Sequence, residues 1–247
     1  METHAQHLHK APSQGWKHYV FEFFMLFLAV FSGFLAENQR EHFVEKKREK
    51  QFIYSLLNDL QLDAGWLNTV TESANKRIQN IDSAILFLSG LKNNEIPVNI
   101  YQHLQKSTDQ IMFISYDGTI TQLKSAGGMR LITDPETVDS IENCDRVMRR
   151  LEIRREITNE LTHDFTDILN KTVIGNDLLG ALYDSVFFKK MILKKQTIKF
   201  NAQYMNELIN SCISVRLRAV SDTSANGFTK RVALNTIKFL KKEYHIK

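Results

Sequence analysis

The chain has 247 residues, of which 43% are hydrophobic and 24% are charged, and its formal net charge is +4. This length and apolar content suffice for a folded domain with a buried core, and so small a net charge does not by itself indicate a nucleic-acid partner. The two cysteines form no CxxC pair, which excludes the usual zinc frameworks.

An apolar segment follows the polar N-terminal tail, residues 1–18. Residues 19–36 read YVFEFFMLFLAVFSGFLA, and at about 1.5 Å per helical residue they are just long enough to cross a hydrocarbon layer of about 30 Å. A cleaved signal peptide would need a small residue at position −3, where Phe34 or Phe31 would stand. A helix buried in a soluble core would not carry six Phe without a polar face. We predict a single uncleaved transmembrane helix in contact with the lipid bilayer.

The predicted span carries one acidic residue and one face of small residues. Glu22 lies one turn inside the span, and we interpret it as an interfacial residue rather than a proton or partner site within the membrane. Small residues spaced by four allow two helices to approach closely. The predicted membrane-helix packing surface, through which the chain could form a homo-oligomer, consists of Ala29, Ser32, Gly33 and Ala36.

Basic residues lie mainly on the C-terminal side of the span. Lys10 and Lys17 precede it, whereas five basic residues follow it closely: Arg40, Lys46, Lys47, Arg48 and Lys50. Because cytoplasmic loops carry an excess of Lys and Arg, this count favours a cytoplasmic position for the residues after the span.

Residues 37–52 are predicted to form a charged juxtamembrane stalk that continues into a long helix. From residue 53 to residue 88, apolar residues recur at alternating spacings of four and three, a heptad pattern that is also typical of coiled coils. Leu56, Trp66 and Val70 widen this apolar face. A wide face favours a helix packed in a bundle, although this helix could also contribute to a homo-oligomer.

The middle of the chain contains shorter predicted elements. Residues 93–97 end the long helix, and a second helix is predicted over residues 98–112. Tyr116 and the two residues after it indicate a turn, which is followed by a short helix.

A glycine pair ends this short helix and defines the candidate functional loop. Gly127 and Gly128 can cap and stop a helix, and the flanking Lys124 and Arg130 would place positive charge beside them. The competing interpretation is a plain helix stop without a function.

A long helix is predicted to begin after Asp134, because this residue is a good N-cap and Pro135 suits the first helical position. Its apolar residues run from Val138 to Leu151 and resume at Leu161, and the helix should end near Gly175.

The C-terminal part is predicted to contain two further helices. Residues 176–200 show no clear pattern, an apolar stripe covers residues 205–219, and Asn226-Gly227 should separate it from a last helix over residues 228–244. No convincing series of strands occurs. We therefore predict an all-α fold, in which a single N-terminal transmembrane helix continues into the long first helix of an antiparallel helical bundle spanning residues 53–247.

Both cysteines lie in the apolar stripes of predicted helices. Cys144 and Cys212 are therefore expected to be buried free thiols, since Cys behaves as a small hydrophobe. A disulfide between them in an oxidising compartment remains an alternative, because spacing alone does not decide pairing.

The sequence contains no recognisable catalytic motif. It lacks GxxxxGK[ST], GxGxxG after a strand, GxSxG and HExxH. His163 and Asp164, with Glu160 and Asp167 on the same helix, could form an enzymatic or metal site only with matching ligands from a second helix, and a plain charged surface explains them as well. We expect no enzymatic activity, no metal site and no cofactor.

Positive charge is concentrated near the C-terminus. Residues 185–247 contain 13 Lys or Arg against three acidic residues, a net +10, which leaves −6 for the rest (4 minus 10). Either this half binds an anionic lipid or nucleic acid, or its basic helices pack on acidic earlier ones within one bundle. We favour the second interpretation, under which no nucleic-acid partner is expected.

Several segments together resemble a known family. They are Glu22 within the span, the exit Glu37-Asn38-Gln39, the basic stretch 45–50, the helix QFIYSLLNDLQLD, residues 122–132 and the C-terminal IKFLKKEYHI. They are similar to an uncharacterised family of single-span, helix-rich membrane proteins of certain Gram-negative bacteria, a domain of unknown function. The resemblance implies an inner-membrane protein whose large domain lies outside the cytoplasm, in the periplasm. This orientation is opposite to the one that the basic residues favour.

Two functional hypotheses result. The first is a non-enzymatic module of the cell envelope that senses a signal or contacts an unidentified protein partner. The second is a cytosol-facing anchored adaptor whose basic C-terminal half binds anionic lipid or nucleic acid.

Overall fold

The computed structural model describes residues 15–91, 93, 95–125, 127–182, 184 and 186–246. Most of the predicted polar tail therefore lies outside the described residues. The α-helices are α1 (Trp16–Leu88), α2 (Val98–Lys106), α3 (Gly118–Ser125), α4 (Pro135–Thr172), α5 (Phe187–Leu193) and α6 (Met205–Glu243). The strands are β1 (Glu95–Pro97) and β2 (Thr197–Lys199), and 3-10 turns cover Gly128–Leu131, Gly175–Leu182 and Ala202–Tyr204. The fold is all-α, as the sequence predicts.

The chain divides into two units between Lys50 and Gln51, two residues before the predicted start of the bundle. In the first unit, the described residues belong almost entirely to α1, which begins at Trp16 and includes the predicted stalk. One helix among the described residues, α1, is long and apolar enough to cross a membrane, judged by length and composition.

The second unit is built on three long helices: the part of α1 after residue 50, α4 and α6. One apolar cluster contains residues 53–70 of α1, residues 141–151 of α4 and residues 233–240 of α6. These helices meet because each carries an apolar face at helical spacing, and burying those faces against one another removes them from water.

A second apolar cluster lies further along the same helices. It contains residues 81–88 of α1, Phe165 and Leu169 of α4 and residues 208–215 of α6. The order of the two clusters along each helix gives the directions of the chain. α6 runs antiparallel to α1, as in the predicted antiparallel bundle, whereas α4 runs in the same direction as α1.

A small antiparallel sheet closes the second cluster. β1 pairs with β2 in a register that places Ile96 opposite Ile198, and both side chains are fully buried. The sequence does not predict these strands, because two strands of three residues are too short to show an alternating pattern.

Residues 107–117, named here the return segment, connect α2 to α3 without regular secondary structure and run back along α1. Trp66 Nε1 donates to the carbonyl of Met112 at 3.2 Å, and the Asp63 carboxylate accepts from the Tyr116 backbone N–H at 2.9 Å. The partners move toward the start of α1 as the segment proceeds, so the segment is antiparallel to that helix. The return segment is why α4 can begin at the same end of the unit as α1.

The predicted helix over residues 98–112 is therefore wrong beyond Lys106. The backbone of the return segment finds partners on α1 side chains instead of within a helix, and this satisfies polar groups that would otherwise be buried unpaired.

The break predicted at Asn226-Gly227 is also wrong, since α6 continues through both residues. Asn226 is buried, and Thr229 and Ala233 continue the same buried face at helical spacing. Packing of this face outweighs the cost of about 1 kcal/mol that a glycine adds inside a helix.

The start of α4 agrees with the sequence. The Asp134 carboxylate accepts from the Thr137 backbone N–H at 2.8 Å, and Pro135 is the first helical residue. The helix ends at Thr172, three residues before the predicted Gly175.

Cys144 and Cys212 are buried and free, as the sequence predicts. Cys144 lies beside Thr236 of α6, and burial raises its pKa to about 11. Thr236 is 24 residues along α6 from Cys212, which is about 36 Å at the helical rise of 1.5 Å. Because a disulfide requires Cα atoms within about 7 Å, these two cysteines cannot pair within one chain.

We predict that replacing Asp63 will destabilise the bundle. This carboxylate is 1% exposed, burial raises its pKa, and it accepts hydrogen bonds from Ser115 and the Tyr116 backbone. Asp63→Ala leaves both donors without a partner and should lower the free energy of unfolding by about 2–4 kcal/mol. Urea unfolding of the full chain in lipid nanodiscs, followed by circular dichroism, measures the change.

The matched control is Glu72→Ala, which removes an exposed carboxylate from the same helix. It should change the unfolding free energy by less than about 0.5 kcal/mol. Equal effects of the two substitutions would contradict the role given to Asp63.

We predict that both thiols are unreactive in the folded protein. Burial raises the pKa of Cys212 to about 12, so at pH 8 both cysteines are overwhelmingly in the unreactive thiol form. In the native full chain, Ellman's reagent should titrate neither, and in urea without reductant it should titrate two thiols per chain. Fewer than two after unfolding would indicate a disulfide and contradict the geometry.

Candidate functional site

The predicted functional loop lies between α3 and α4. Gly127 has φ +67°, in the left-handed region that favours glycine, and it is the N-cap of the 3-10 turn Gly128–Leu131. Gly128 is buried, and a Cβ on it would lie 3.2 Å from the Cα and Cδ2 of Leu123. The close approach of the chain to Leu123 therefore accounts for the second glycine, and the turn for the first.

The two basic residues of this loop have different surroundings. The Lys124 ammonium pairs with Asp145 of α4, whose carboxylate also accepts from Arg149 at 2.8 Å. Arg130 folds back over Gly127, where its Nη2 would lie 3.1 Å from an added Cβ. The structure thus gives both glycines and Lys124 a packing role in joining α3 to α4.

The four small residues of the predicted membrane-helix packing surface lie in the first unit. Ala29, Ser32, Gly33 and Ala36 are all exposed on α1, and a Cβ on Gly33 would meet no atom within 4 Å. Within the first unit, no described residue covers this surface.

A cleft with several charged side chains in its wall lies between the two apolar clusters, and the sequence alone did not predict it. This central cleft is formed by α1, the return segment, α4 and α6, and its empty volume is about 580 Å³, part of which is open to solvent. Apolar side chains such as Val70, Phe113 and Leu151 form part of the wall. The charged side chains in the lining are Arg77, Asp109, Arg154, Arg155 and Asp222.

Arg77 of α1 is the most deeply buried of these charges, with 4% of its surface exposed. Its Nε donates to the Ser107 carbonyl at 2.6 Å, and its Nη2 donates to the Thr162 hydroxyl at 2.7 Å. Its Nη1 donates to the side-chain oxygen of Gln110 at 3.3 Å. All three acceptors are neutral, and none of the described carboxylates forms a salt bridge with this guanidinium.

Burial lowers the pKa of Arg77 to about 10, while the charges of Asp222 and Asp109 act in the opposite direction. The guanidinium therefore stays protonated at neutral pH. A buried cation without a paired anion costs several kcal/mol in desolvation, which its hydrogen bonds offset only in part.

Asp222 of α6 is the centre of a hydrogen-bond network at the same level. Its Oδ1 accepts from Arg154 Nη2 at 3.0 Å, and its Oδ2 accepts from the Thr158 hydroxyl at 2.8 Å and from Arg218 Nε at 3.2 Å. Arg218 also donates to the backbone carbonyl of Arg154 at 2.6 Å. One carboxylate is thus shared by two guanidinium groups, which leaves positive charge in excess.

Arg155 is the remaining cation of the cleft. It is partly buried, and among the described residues it makes no hydrogen bond or ion pair. The lining carries three arginines and two aspartates, a net charge of +1 (3 minus 2). Arg218, behind Asp222, raises the local excess to +2 (4 minus 2).

Polar residues interrupt the apolar stripes of two helices at this cleft, but the sequence does not show that these helices pack together. In α4 the apolar stripe is interrupted after Leu151, where Arg154, Thr158 and Thr162 follow at helical spacing. In α6 the stripe is interrupted at Asp222 and Asn226. Once α4 and α6 are known to pack side by side, these two interruptions lie next to each other and indicate a polar layer between the apolar clusters.

The charged face around His163 is exposed. His163 Nδ1 lies 3.6 Å from the Asp167 carboxylate on the same helix, and 75% of the His163 side chain is accessible. Among the described residues, no group of three or more His, Cys, Asp or Glu side chains could hold a metal ion.

Of the basic residues near the C-terminus, Arg216 of α6 pairs with Asp82 of α1. This contact is of the kind expected if basic late helices pack on acidic earlier ones.

No protein-family model, no curated protein and no solved structure matches this chain. The resemblance to the single-span bacterial family therefore stays a prediction.

We predict that Asp222 is essential to the stability of the cleft. Asp222→Asn removes the charge shared by Arg154 and Arg218 and leaves two partly buried guanidinium groups with only a neutral acceptor. The free energy of unfolding should fall by about 3 kcal/mol. Glu160→Gln, an exposed carboxylate of α4 near the same level, is the control and should change it by less than about 0.5 kcal/mol. Similar losses in both variants would show that the Asp222 network adds nothing specific.

Proposed function

We propose that the chain is a single-pass membrane protein anchored by residues 19–36, and that its helical bundle is a non-enzymatic sensing or protein-interaction module of the cell envelope. The observation that carries the proposal is the exposure of the apolar segment. Every residue from 19 to 36 is exposed, including all six Phe. An apolar helix that the protein itself leaves uncovered is suited to a lipid environment.

Keeping a large apolar side chain in water instead of burying it costs about 1.5–3 kcal/mol, and the segment holds six Phe besides its aliphatic residues. A hydrocarbon layer removes this cost. The helix also satisfies its own backbone hydrogen bonds, which is required inside a bilayer.

The bundle itself supports a role in sensing or contact. The sequence lacks recognisable catalytic motifs, and the polar groups of the central cleft are engaged mainly with one another. The exposed small-residue surface of Ala29, Ser32, Gly33 and Ala36 supports self-association of the anchor, since close helix approach favours packing in lipid.

The proposed location is the inner membrane of a Gram-negative cell, with the bundle in the periplasm. The family resemblance supports this orientation. The basic residues after the span favour the opposite one, in which the bundle would act as a cytosolic adaptor.

We predict that the bundle is accessible from the periplasm. A C-terminal epitope tag on the full chain should be lost when protease is added to intact cells whose outer membrane has been permeabilised. A second tag before the span is the matched control and should survive until the inner membrane is lysed. The readout is immunoblotting of both tags.

Protection of the C-terminal tag until inner-membrane lysis would overturn the periplasmic proposal and favour the adaptor. The adaptor makes its own prediction. Its basic C-terminal half should bind vesicles containing an anionic lipid, with an affinity that falls steeply as salt is raised.

A further inference from the structure

The central cleft contains more positive charge than its own residues compensate. Arg77 is almost fully buried, yet its guanidinium donates only to neutral oxygens. Arg154 and Arg218 share the one carboxylate of Asp222. Burying positive charge without a counter-charge is expensive, so an anion that entered this cleft would gain more than the same anion on the open surface.

Arg155 is the group in the cleft that is free to bind. It lines the same space as Arg77 and Arg154, is partly buried, and has no hydrogen bond or ion pair among the described residues. A guanidinium presents a fork of N–H donors that matches the oxygens of a carboxylate or a phosphate. Binding an anion at Arg155 therefore breaks no hydrogen bond or ion pair of its side chain with another described residue.

The rest of the wall is apolar. Val70 and Ala74 of α1, Ile111 and Phe113 of the return segment, Leu151 of α4 and Ala219 of α6 all line the cleft. Small-molecule sites are mostly apolar with a few charged groups, and they often occur in gaps between helices; the cleft has both properties. A cleft filled with water alone would keep these apolar side chains in contact with water. A ligand with an apolar body would remove that contact, which is favourable.

We propose that the central cleft is a binding site for a small organic anion with an apolar body. The acidic group, a carboxylate or a phosphate monoester, pairs with Arg155 beside the positive charge of Arg77 and Arg154. The apolar body lies against Phe113, Leu151 and their neighbours. A metal cation is disfavoured here because the net charge of the lining is positive.

Such a site would give the bundle a ligand to sense, so the inference deepens the proposed function without depending on the orientation of the anchor. The ligand contacts helices α1 and α4 and the return segment. Arg77 donates hydrogen bonds from α1 to both of the other two parts at this level. An anion in the cleft would therefore act directly on the contact that joins these three parts.

The test uses the full chain in nanodiscs of a zwitterionic lipid and three matched probes: 4-fluorobenzoate, 4-fluorophenyl phosphate and neutral 4-fluorobenzamide. Broadening of the fluorine NMR line on titration measures the affinity, with empty nanodiscs as the baseline. At least one anion should bind about tenfold or more tightly than the amide, because only the anions form an ion pair with the guanidinium. The tighter of the two anions identifies the acidic group.

Arg155→Gln should weaken binding of that anion by about tenfold or more while leaving the unfolding transition unchanged, since Arg155 has no partner to lose. Arg150→Gln is the matched control: it removes an exposed arginine of α4, outside the cleft, and should leave the affinity unchanged. The proposal is overturned if neither anion binds, if the amide binds equally well, or if the two substitutions have the same effect. Because the probes reach both sides of a nanodisc, none of these results depends on the membrane topology.

Discussion

The hydrogen bonds of Arg77 join three parts of the chain that are otherwise far apart in sequence. The guanidinium of α1 binds the backbone of Ser107, where the return segment begins, the side chain of Gln110, and Thr162 of α4. The return segment is thereby held along α1 and delivers the chain to the end at which α4 must start. The parallel arrangement of α1 and α4, and hence the composition of both apolar clusters, depends on this connection.

The same interaction also fixes how the helices are aligned. Apolar stripes at helical spacing pack almost equally well after a shift of one or two turns, so burial of apolar surface specifies alignment only weakly. A shift here would place Arg77 or Asp222 against the apolar side chains of a neighbouring cluster, at a cost of several kcal/mol for an unpaired buried charge. Removing one member of the polar layer is costly because it leaves a buried charge unpaired, whereas replacing the whole layer by apolar residues would change the stability much less. The layer therefore acts mainly by selecting one alignment, a role known for buried polar residues in coiled coils.

The long helices could be predicted from the sequence because each carries a sustained apolar pattern, and the start of α4 because Asp134 and Pro135 act locally. The elements that the sequence predicted wrongly, or not at all, have a common cause. The end of α2, the continuity of α6 through Asn226, and the pairing of β1 with β2 all depend on partners distant in sequence. The central cleft was missed for the same reason: the interruption after Leu151 and the one at Asp222 have a meaning only once α4 and α6 are known to pack side by side.

The composition of the first apolar cluster has a consequence for how the protein is made. Residues 53–70 of α1 pack against residues 233–240 of α6, so the apolar face of α1 leaves the ribosome more than 160 residues before its partner (233 minus 70 is 163). At about 5–20 residues per second, this delay lasts roughly 10–30 s. During that interval the apolar face of α1 can be covered only by the earlier members of its cluster, such as Phe113 and residues 141–151 of α4. The first cluster can therefore be completed only after α6 has been made, so this bundle closes at the end of synthesis and not as its first helices emerge.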